Sequence, residues 1–337
     1  MTPQKVFSDQ KKPISSGSSK KVIIVDKIIA SDLDYIKTEL HCHNTFSNFN
    51  LGFGEAPYDC NITIPEQLER AKALGLGALY VTNHNTLDGY SQILEYRDNH
   101  SKYKQIQIYP AEEITINTGA HVIAYGVHQE IKPGLPFEEV LDQIKKQDAV
   151  SCAPHPFSLL DALREKARHC DVIEVFNSNN VDVISNARAA EFSYEHKKIG
   201  VAGSDSHVLS TLGRCVNEID SENTLDDTLF ALRHGKITIN QTGYAKEKET
   251  LEHIKYKINN SKDYLAEYIR EHYPNSQWML SLLLKMYDLN QNSYLWSLVY
   301  KLAVYLMRRV SNKINILGYD PASLKERDLT TMLRMAI

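Results

Sequence analysis

The sequence predicts an α/β protein: a βα barrel with its chemistry at the strand ends, followed by an all-helical extension. Three observations carry this. From about Lys37, short β-rich runs alternate with longer helical patterns, as parallel strands joined by helical crossovers require. The β-rich runs repeatedly close on, or open with, a His, Asp or Glu. Beyond Gly243 the β-rich runs stop and only helical patterns remain.

Residues 1–21, the start of a lead-in over 1–35, are polar, with Ser, Gly and Lys and no apolar stretch for a signal peptide. They are expected to form a disordered lead-in. A weak strand over residues 35–40 then runs into His41-Cys42-His43. Alternate residues of a strand share a face, so His41 and His43 project together. Residues 65–71 form a helix that opens on Pro65 and stops at Gly75. Residues 79–82 lead to His84, and 106–109 lead to Glu112-Glu113. The run 121–125 opens with His121, and 149–152 leads to His155. Residues 172–176 lead to Asn177, and 201–202 lead to Asp205-Ser206-His207. Helices are expected over 137–146, 159–168, 187–198 and 224–234. This makes about seven βα units. Polar residues at so many strand ends favour a barrel over a doubly wound sheet, which gathers its site at one crevice.

The extension, residues 244–337, reads as helices over 247–257, 261–272, 276–288 and 294–315. In the last of these, Trp296, Tyr300, Ala303 and Met307 make one apolar stripe; Leu295, Leu298, Val299, Leu302 and Leu306 make another. A helix apolar nearly all round is expected to be buried, against the barrel or a second copy of the chain. The run 294–307 is too short to span a membrane, and Lys301 interrupts it.

The 337 residues are 42% hydrophobic and 24% charged, an ordinary globular composition, with net charge −4. After residue 243 there are 14 Lys+Arg against 10 Asp+Glu, so the barrel region is acidic and the tail mildly basic. At this density a solvated helical face explains the tail. Five dispersed cysteines without a CxxC argue against a disulfide framework and for the reducing cytoplasm.

Six of the 13 histidines (His41, His43, His84, His121, His155, His207) fall at predicted strand ends, with Glu113 and Asp205 in equivalent places. One buried His is commonly a satisfied core residue; that explanation is poor for all six. Histidines with carboxylates, and no cysteine spacing, suit divalent zinc, manganese or iron. Gly75-Leu76-Gly77 lacks the further glycine of a nucleotide loop, and neither a P-loop nor a GxSxG elbow occurs.

Glu-Leu-His41-Cys-His43-Asn-Thr-Phe-Ser, Val-Thr-Asn83-His84-Asn-Thr, Pro-Ala-Glu112-Glu113-Ile-Thr, His121-Val-Ile-Ala-Tyr-Gly, Ala-Pro-His155-Pro and Gly-Ser-Asp205-Ser-His207, taken together, resemble the PHP (polymerase and histidinol phosphatase) family over residues 36–243. The resemblance implies a distorted seven-stranded βα barrel, two or three metal ions and hydrolysis of phosphoesters. It would place a first ion on His41, His43, Glu113 and Asp205, and a second on Glu113, His121 and His155, with Glu113 bridging. Glu112 would face away. The family's third-ion position corresponds to Asn48, Asn83, His84 and His207; the two asparagines replace aspartates, so a weak or empty third site is expected. Asp59 is an alternative source of charge there. His84 or His207 would act as general acid, and Arg214, with Asn177 and Arg188 behind it, would bind substrate phosphate. The implied substrate is a small phosphomonoester or a nucleic-acid end. Two rival readings are a non-catalytic interaction protein acting through its tail and a metal-dependent C–N hydrolase.

Overall fold

The computed structural model describes residues 35–52, 55–321 and 336, all within one compact unit spanning 34–337. The expected lead-in lies outside the described residues, Tyr35 excepted. Among the described residues nine strands form one sheet: β1 (Ile36–Cys42), β2 (Ala78–Val81), β3 (Gln107–Thr115), β4 (His121–Tyr125), β5 (Val150–Ala153), β6 (Val172–Asn177), β7 (Ile199–Gly203), β8 (Val216–Ile219) and β9 (Ile237–Gln241). Their order is β7-β6-β5-β4-β3-β2-β1-β8-β9.

The sheet curls into a nearly closed barrel. The amide of Asp205 donates to the carbonyl of His41 (2.7 Å), and His43 N–H donates to Ser206 O (3.2 Å), joining the chain after β7 to the end of β1. Lower down, the Asn217 side chain bonds both the N–H and the C=O of Ala202, tying β8 to β7. The first half of β1 therefore pairs with β8, and its second half meets the chain beyond β7.

This corrects the expected seven strands to nine. All seven expected runs are present, and β8 and β9 are added at one edge. Four of the five residues of β9 are exposed, so it carries no buried apolar face to betray it as a strand. The units are not uniformly βα either. β3 and β4 form an antiparallel hairpin, and β4 is antiparallel to β5 as well. That reversal brings the first residue of β4, His121, to the rim where the parallel strands end. β3 also continues past Pro110 because its partner changes there: it pairs with β2 up to Pro110 and with β4 from Ala111.

Five α-helices follow strands within the barrel region: α1 (Ile64–Ala73), α2 (Asp88–Asn99), α3 (Phe137–Lys146), α4 (Ile184–Glu195) and α5 (Leu225–Arg233). α1 ends at Gly75, whose φ of +66° suits a residue without a Cβ. The helix expected over 159–168 is instead a bend followed by a short 3-10 helix, Arg164–His169. Asp161 and Arg164 have φ of +57° and +51°, which no α-helix accommodates. The inner core is one cluster drawn from β1 to β8, with Tyr80 packed against Tyr109 and Tyr125. α5 contributes to it, and Tyr80 Oη bonds Thr228 Oγ1 at 2.7 Å.

The tail forms α6 (Glu247–Asn260), α7 (Lys262–His272), α8 (Gln277–Leu289) and α9 (Leu295–Asn315). α9 packs on α4 and α6. Within the single chain only part of α9 is covered: Val310, Ser311 and Ile314 are buried, while Leu298 and Leu302 are 51% and 58% exposed. Burial is confined to the helix's second half. Among the described residues no helix is long and apolar enough to cross a membrane.

Candidate metal centre

Glu113 stands at the middle of the strand-end cluster. Its Oε2 lies 3.3 Å from Nε2 of His41, Nε2 of His43 and Nδ1 of His84. Its Oε1 lies 3.0 Å from His121 Nδ1 and 3.2 Å from His155 Nε2. One carboxylate thus faces two separate groups of imidazoles. Asp205 Oδ1 closes the first group, 3.4 Å from Nε2 of both His41 and His43. Glu112 points the other way, as strand alternation requires; it accepts from Ile131 N–H and burial pushes it up to about 8.

The local backbone positions these groups. A register shift lies in β1 between Glu39 and Cys42, so Leu40 joins the inner core, Cys42 joins the outer one, and His41 and His43 reach the centre. Glu113 N–H and C=O pair with Asn83 O and Asn85 N–H, which fixes His84 beside it. His155 and Asp205 have φ of +29° and +49°, a conformation that costs a non-glycine residue on the order of 1 kcal/mol or more and is characteristic of functional sites.

The imidazoles are aimed by partners on their far nitrogens. His41 Nδ1 bonds Glu174 Oε1 (2.9 Å), and His43 Nδ1 pairs with Ser47 Oγ (3.0 Å). Each leaves Nε2 toward the centre, the arrangement that sets tautomer and basicity in metal sites. Glu174 Oε2 also accepts from His155 N–H (2.7 Å) and Asn177 Nδ2 (2.9 Å).

Asp59 forms a second hub. Its Oδ2 meets His207 Nε2 at 2.7 Å and His84 Nε2 at 3.5 Å. Its Oδ1 meets His253 Nε2 at 3.1 Å and Lys257 Nζ at 2.6 Å, both from α6.

Burial opposes charge throughout, and the mutual attraction overcomes it at most groups. His41 is held well above the usual imidazole range: burial opposes this, but Asp205, Glu113 and Glu174 outweigh it. Against burial, the charge of His41 holds Glu113 and Asp205 well below the carboxylate range. His121 is raised to about 9 and His207 to about 8, where Glu113 and Asp59 respectively overcome burial. His84 goes the other way, pushed down by burial to about 4.

The donor set fits divalent cations. It is imidazole and carboxylate only, and all five cysteines are buried, free thiols elsewhere in the barrel. His43 Nε2, His84 Nδ1 and His121 Nδ1 are buried and make no hydrogen bond among the described residues. Orphaned ring nitrogens converging on carboxylates are what a cation would satisfy.

Residues 183–237, which run from α4 to the start of β9 and include Asp205 and His207, match the family model described as PHP-associated. That match falls on the same centre that the six sequence motifs assemble. Over residues 183–237 the chain is similar to PHP-associated proteins. It is 28% identical over 155 residues to the uncharacterized protein MJ1587 of Methanocaldococcus jannaschii, covering 45% of this chain and 87% of that one. It is 29% identical over 126 residues to the uncharacterized protein MJ0417 of the same organism, covering 34% and 53%. Among solved structures it is similar to PsfC from Pseudomonas syringae, at 18% identity over 67% of this chain and 98% of that chain, with a TM-score of 0.47. It is also similar to the lesion-specific endonuclease PfuEndoQ from Pyrococcus furiosus, at 16% identity over 61% and 57%, with a TM-score of 0.46.

Within this centre the structure brings together His41, His43, Glu113, His121, His155 and Asp205, with His84 and His207 beside them. It does not bring in Asn48 or Asn83. Asn48 Oδ1 accepts from the amides of Asp59 and Cys60, and its Nδ2 donates to Cys60 O and Tyr256 Oη. Asn83 is consumed by Asn44 and Ser47. Both amides hold loops in place, and Asp59 supplies the charge near His84 and His207 instead. Arg214 is ion-paired with Glu249 of α6 and does not line the central cavity. Arg188 lies on α4, paired with Glu191 and Glu195 and resting on Phe157 and Phe192. Asn177 is at the centre, but its amide donates to Glu174 and Asp205 rather than standing free for phosphate. Glu174, His253 and Lys257 escaped the sequence reading. A Glu inside the apolar run Val-Ile-Glu174-Val-Phe was the one available signal for the first.

Proposed function

We propose that the protein is a metal-dependent phosphoesterase acting on small phosphomonoesters, such as nucleotide, sugar or histidinol phosphates, or on nucleic-acid ends. The observation that carries this is the divided Glu113 carboxylate: Oε2 toward His41, His43 and His84, Oε1 toward His121 and His155. In this reading His41, His43, Asp205 and Glu113 hold one divalent ion, and Glu113, His121 and His155 hold a second, of zinc, manganese or iron. When bound, two such ions supply Lewis acidity, acidifying water and neutralising charge on the phosphoryl oxygens.

The chain's own residues do the rest. The cavity at the centre holds about 200 Å³ and favours a phosphoryl group with a compact leaving group. Of the two candidate acids, His207 is the better placed to hold a proton: in the metal-free chain Asp59 raises it to about 8, whereas burial lowers His84 to about 4. His207 would protonate the leaving oxygen by passing on the Nε2 proton it shares with Asp59 Oδ2 at 2.7 Å, with the Asp205 carbonyl 2.9 Å from its Nδ1 fixing the ring.

The test is a panel of phosphomonoesters and oligonucleotides offered to the metal-loaded protein. Hydrolysis is expected, abolished by chelator and by Glu113→Gln. Inertness on the whole panel, with turnover of amides or lactones, would overturn the reading.

A further inference from the structure

We propose that Lys257 is a substrate-binding residue of this centre, its ammonium donating to a non-bridging phosphoryl oxygen, with Asp59 as the residue that positions it. This rests on the phosphoesterase reading and names a determinant that the strand-end motifs do not contain.

The first ground is charge. The cavity beside Glu113 is also walled by Glu55, Asp59, Asp161 and Asp205. Among the described residues lining it, Lys257 is the only Lys or Arg. A phosphomonoester brings up to two negative charges into this ring of carboxylates, so a cation on the protein side has a definite task beyond that of the ions. Arg214, the cation expected in that role, does not line this cavity.

The second ground is position. α6 is fastened to the rim of the barrel along its length. Ala245 N–H donates to Ser178 O at 2.9 Å, and Arg214 holds Glu249. Further along, Asn48 Nδ2 donates to Tyr256 Oη at 3.1 Å. His253 and Lys257 are four residues apart and so share one helix face; both reach Asp59 Oδ1. The lysine therefore enters the cavity from a rigid element, as a binding group must.

The third ground is availability. Lys257 is 27% exposed at its side chain, and its one hydrogen bond among the described residues is to Asp59, at 2.6 Å. An ammonium has three donors, so others remain for a ligand. The other oxygen of Asp59 holds His207 at 2.7 Å. One carboxylate thus sets both the phosphate-binding cation and the proposed proton donor, at the place where the resemblance expected a third ion.

The test uses the metal-loaded full chain and its Lys257→Met and Lys257→Arg variants. Binding of inorganic phosphate is measured by calorimetry, alongside metal content. Metal content is expected to be unchanged in all three. Lys257→Met is expected to bind phosphate about tenfold or more weakly and to raise KM for a phosphomonoester by a similar factor, with Lys257→Arg restoring most of both. Equal phosphate affinity in wild type and Lys257→Met would overturn the assignment while leaving the phosphoesterase reading intact. A third ion found on Asp59 with Lys257 displaced would also overturn it. A wild type that neither binds phosphate nor turns over any phosphoester would remove the underlying reading, and this assignment with it.

Discussion

Replacing Glu174 by Gln should weaken metal binding although Glu174 holds no ion itself. Three donors converge on its two oxygens: His41 Nδ1 at 2.9 Å on Oε1, with His155 N–H at 2.7 Å and Asn177 Nδ2 at 2.9 Å on Oε2. Glutamine offers one acceptor oxygen and one NH2 group, so some donor must face a donor. If the NH2 meets His41, the ring must shift its proton to Nε2, the nitrogen turned to the centre. If it meets His155, a buried N–H loses its acceptor, and with it a tether of a residue at φ +29°. Outer-shell partners of this kind are worth roughly 10- to 100-fold in metal affinity, or about 1.4–2.7 kcal/mol. The assay is competition with a chromophoric chelator, with the fold checked by circular dichroism. An unchanged affinity in a folded Glu174→Gln protein would refute the claim that Glu174 orients His41.

Four further outcomes follow from the same structure. Gly203→Ala should reproduce the Glu174→Gln defect in chelator competition, because a Cβ there would sit 1.8 Å from Glu174 Oε1 and 2.6 Å from His41 Cβ. Leu40→Ala, at a fully buried inner-core position, should cost about 2–5 kcal/mol in urea unfolding. Leu302→Lys, at a 58% exposed position, should change stability by less than about 0.5 kcal/mol; a larger loss would mean that the stripe is covered. The metal-free protein should lose stability with rising pH. His121 and His207 have folded values near 9 and 8 against an ordinary 6.5, so their contribution is complete below 6.5 and fades as pH passes through 8 and 9. Thermal melts across that range should show the decline in chelator-treated protein and a smaller one in metal-loaded protein, whose ligands bind as neutral imidazoles.

The residues legible in the sequence share one property: each ends or begins a short apolar run. His41, His43, Glu113, His121, His155 and Asp205 all do, and the barrel brings such positions to one rim. What was not legible depends on docking or on local bonding. His253 and Lys257 lie on a helix that, in sequence, looks like an ordinary charged face; only its seating on the rim turns that face inward. Asn48 and Asn83 stand where third-ion ligands were expected, and their hydrogen bonds to Asp59, Cys60, Asn44 and Ser47 could not be read from spacing. The β8–β9 edge escaped because β9 has an exposed, polar character. Leu298 and Leu302 are exposed in the single chain, since an apolar stripe reports the capacity to be covered and does not say by what.

The central claim is that Glu113 bridges two cations, and anomalous diffraction from metal-soaked crystals tests it most directly. Two peaks are predicted in the wild type, one against each oxygen of Glu113, the first ringed by His41, His43 and Asp205 and the second by His121 and His155; Glu113→Gln should lose both. An ion held by Asp59, His207 and His253 alone, with Glu113 free of metal, would contradict the account.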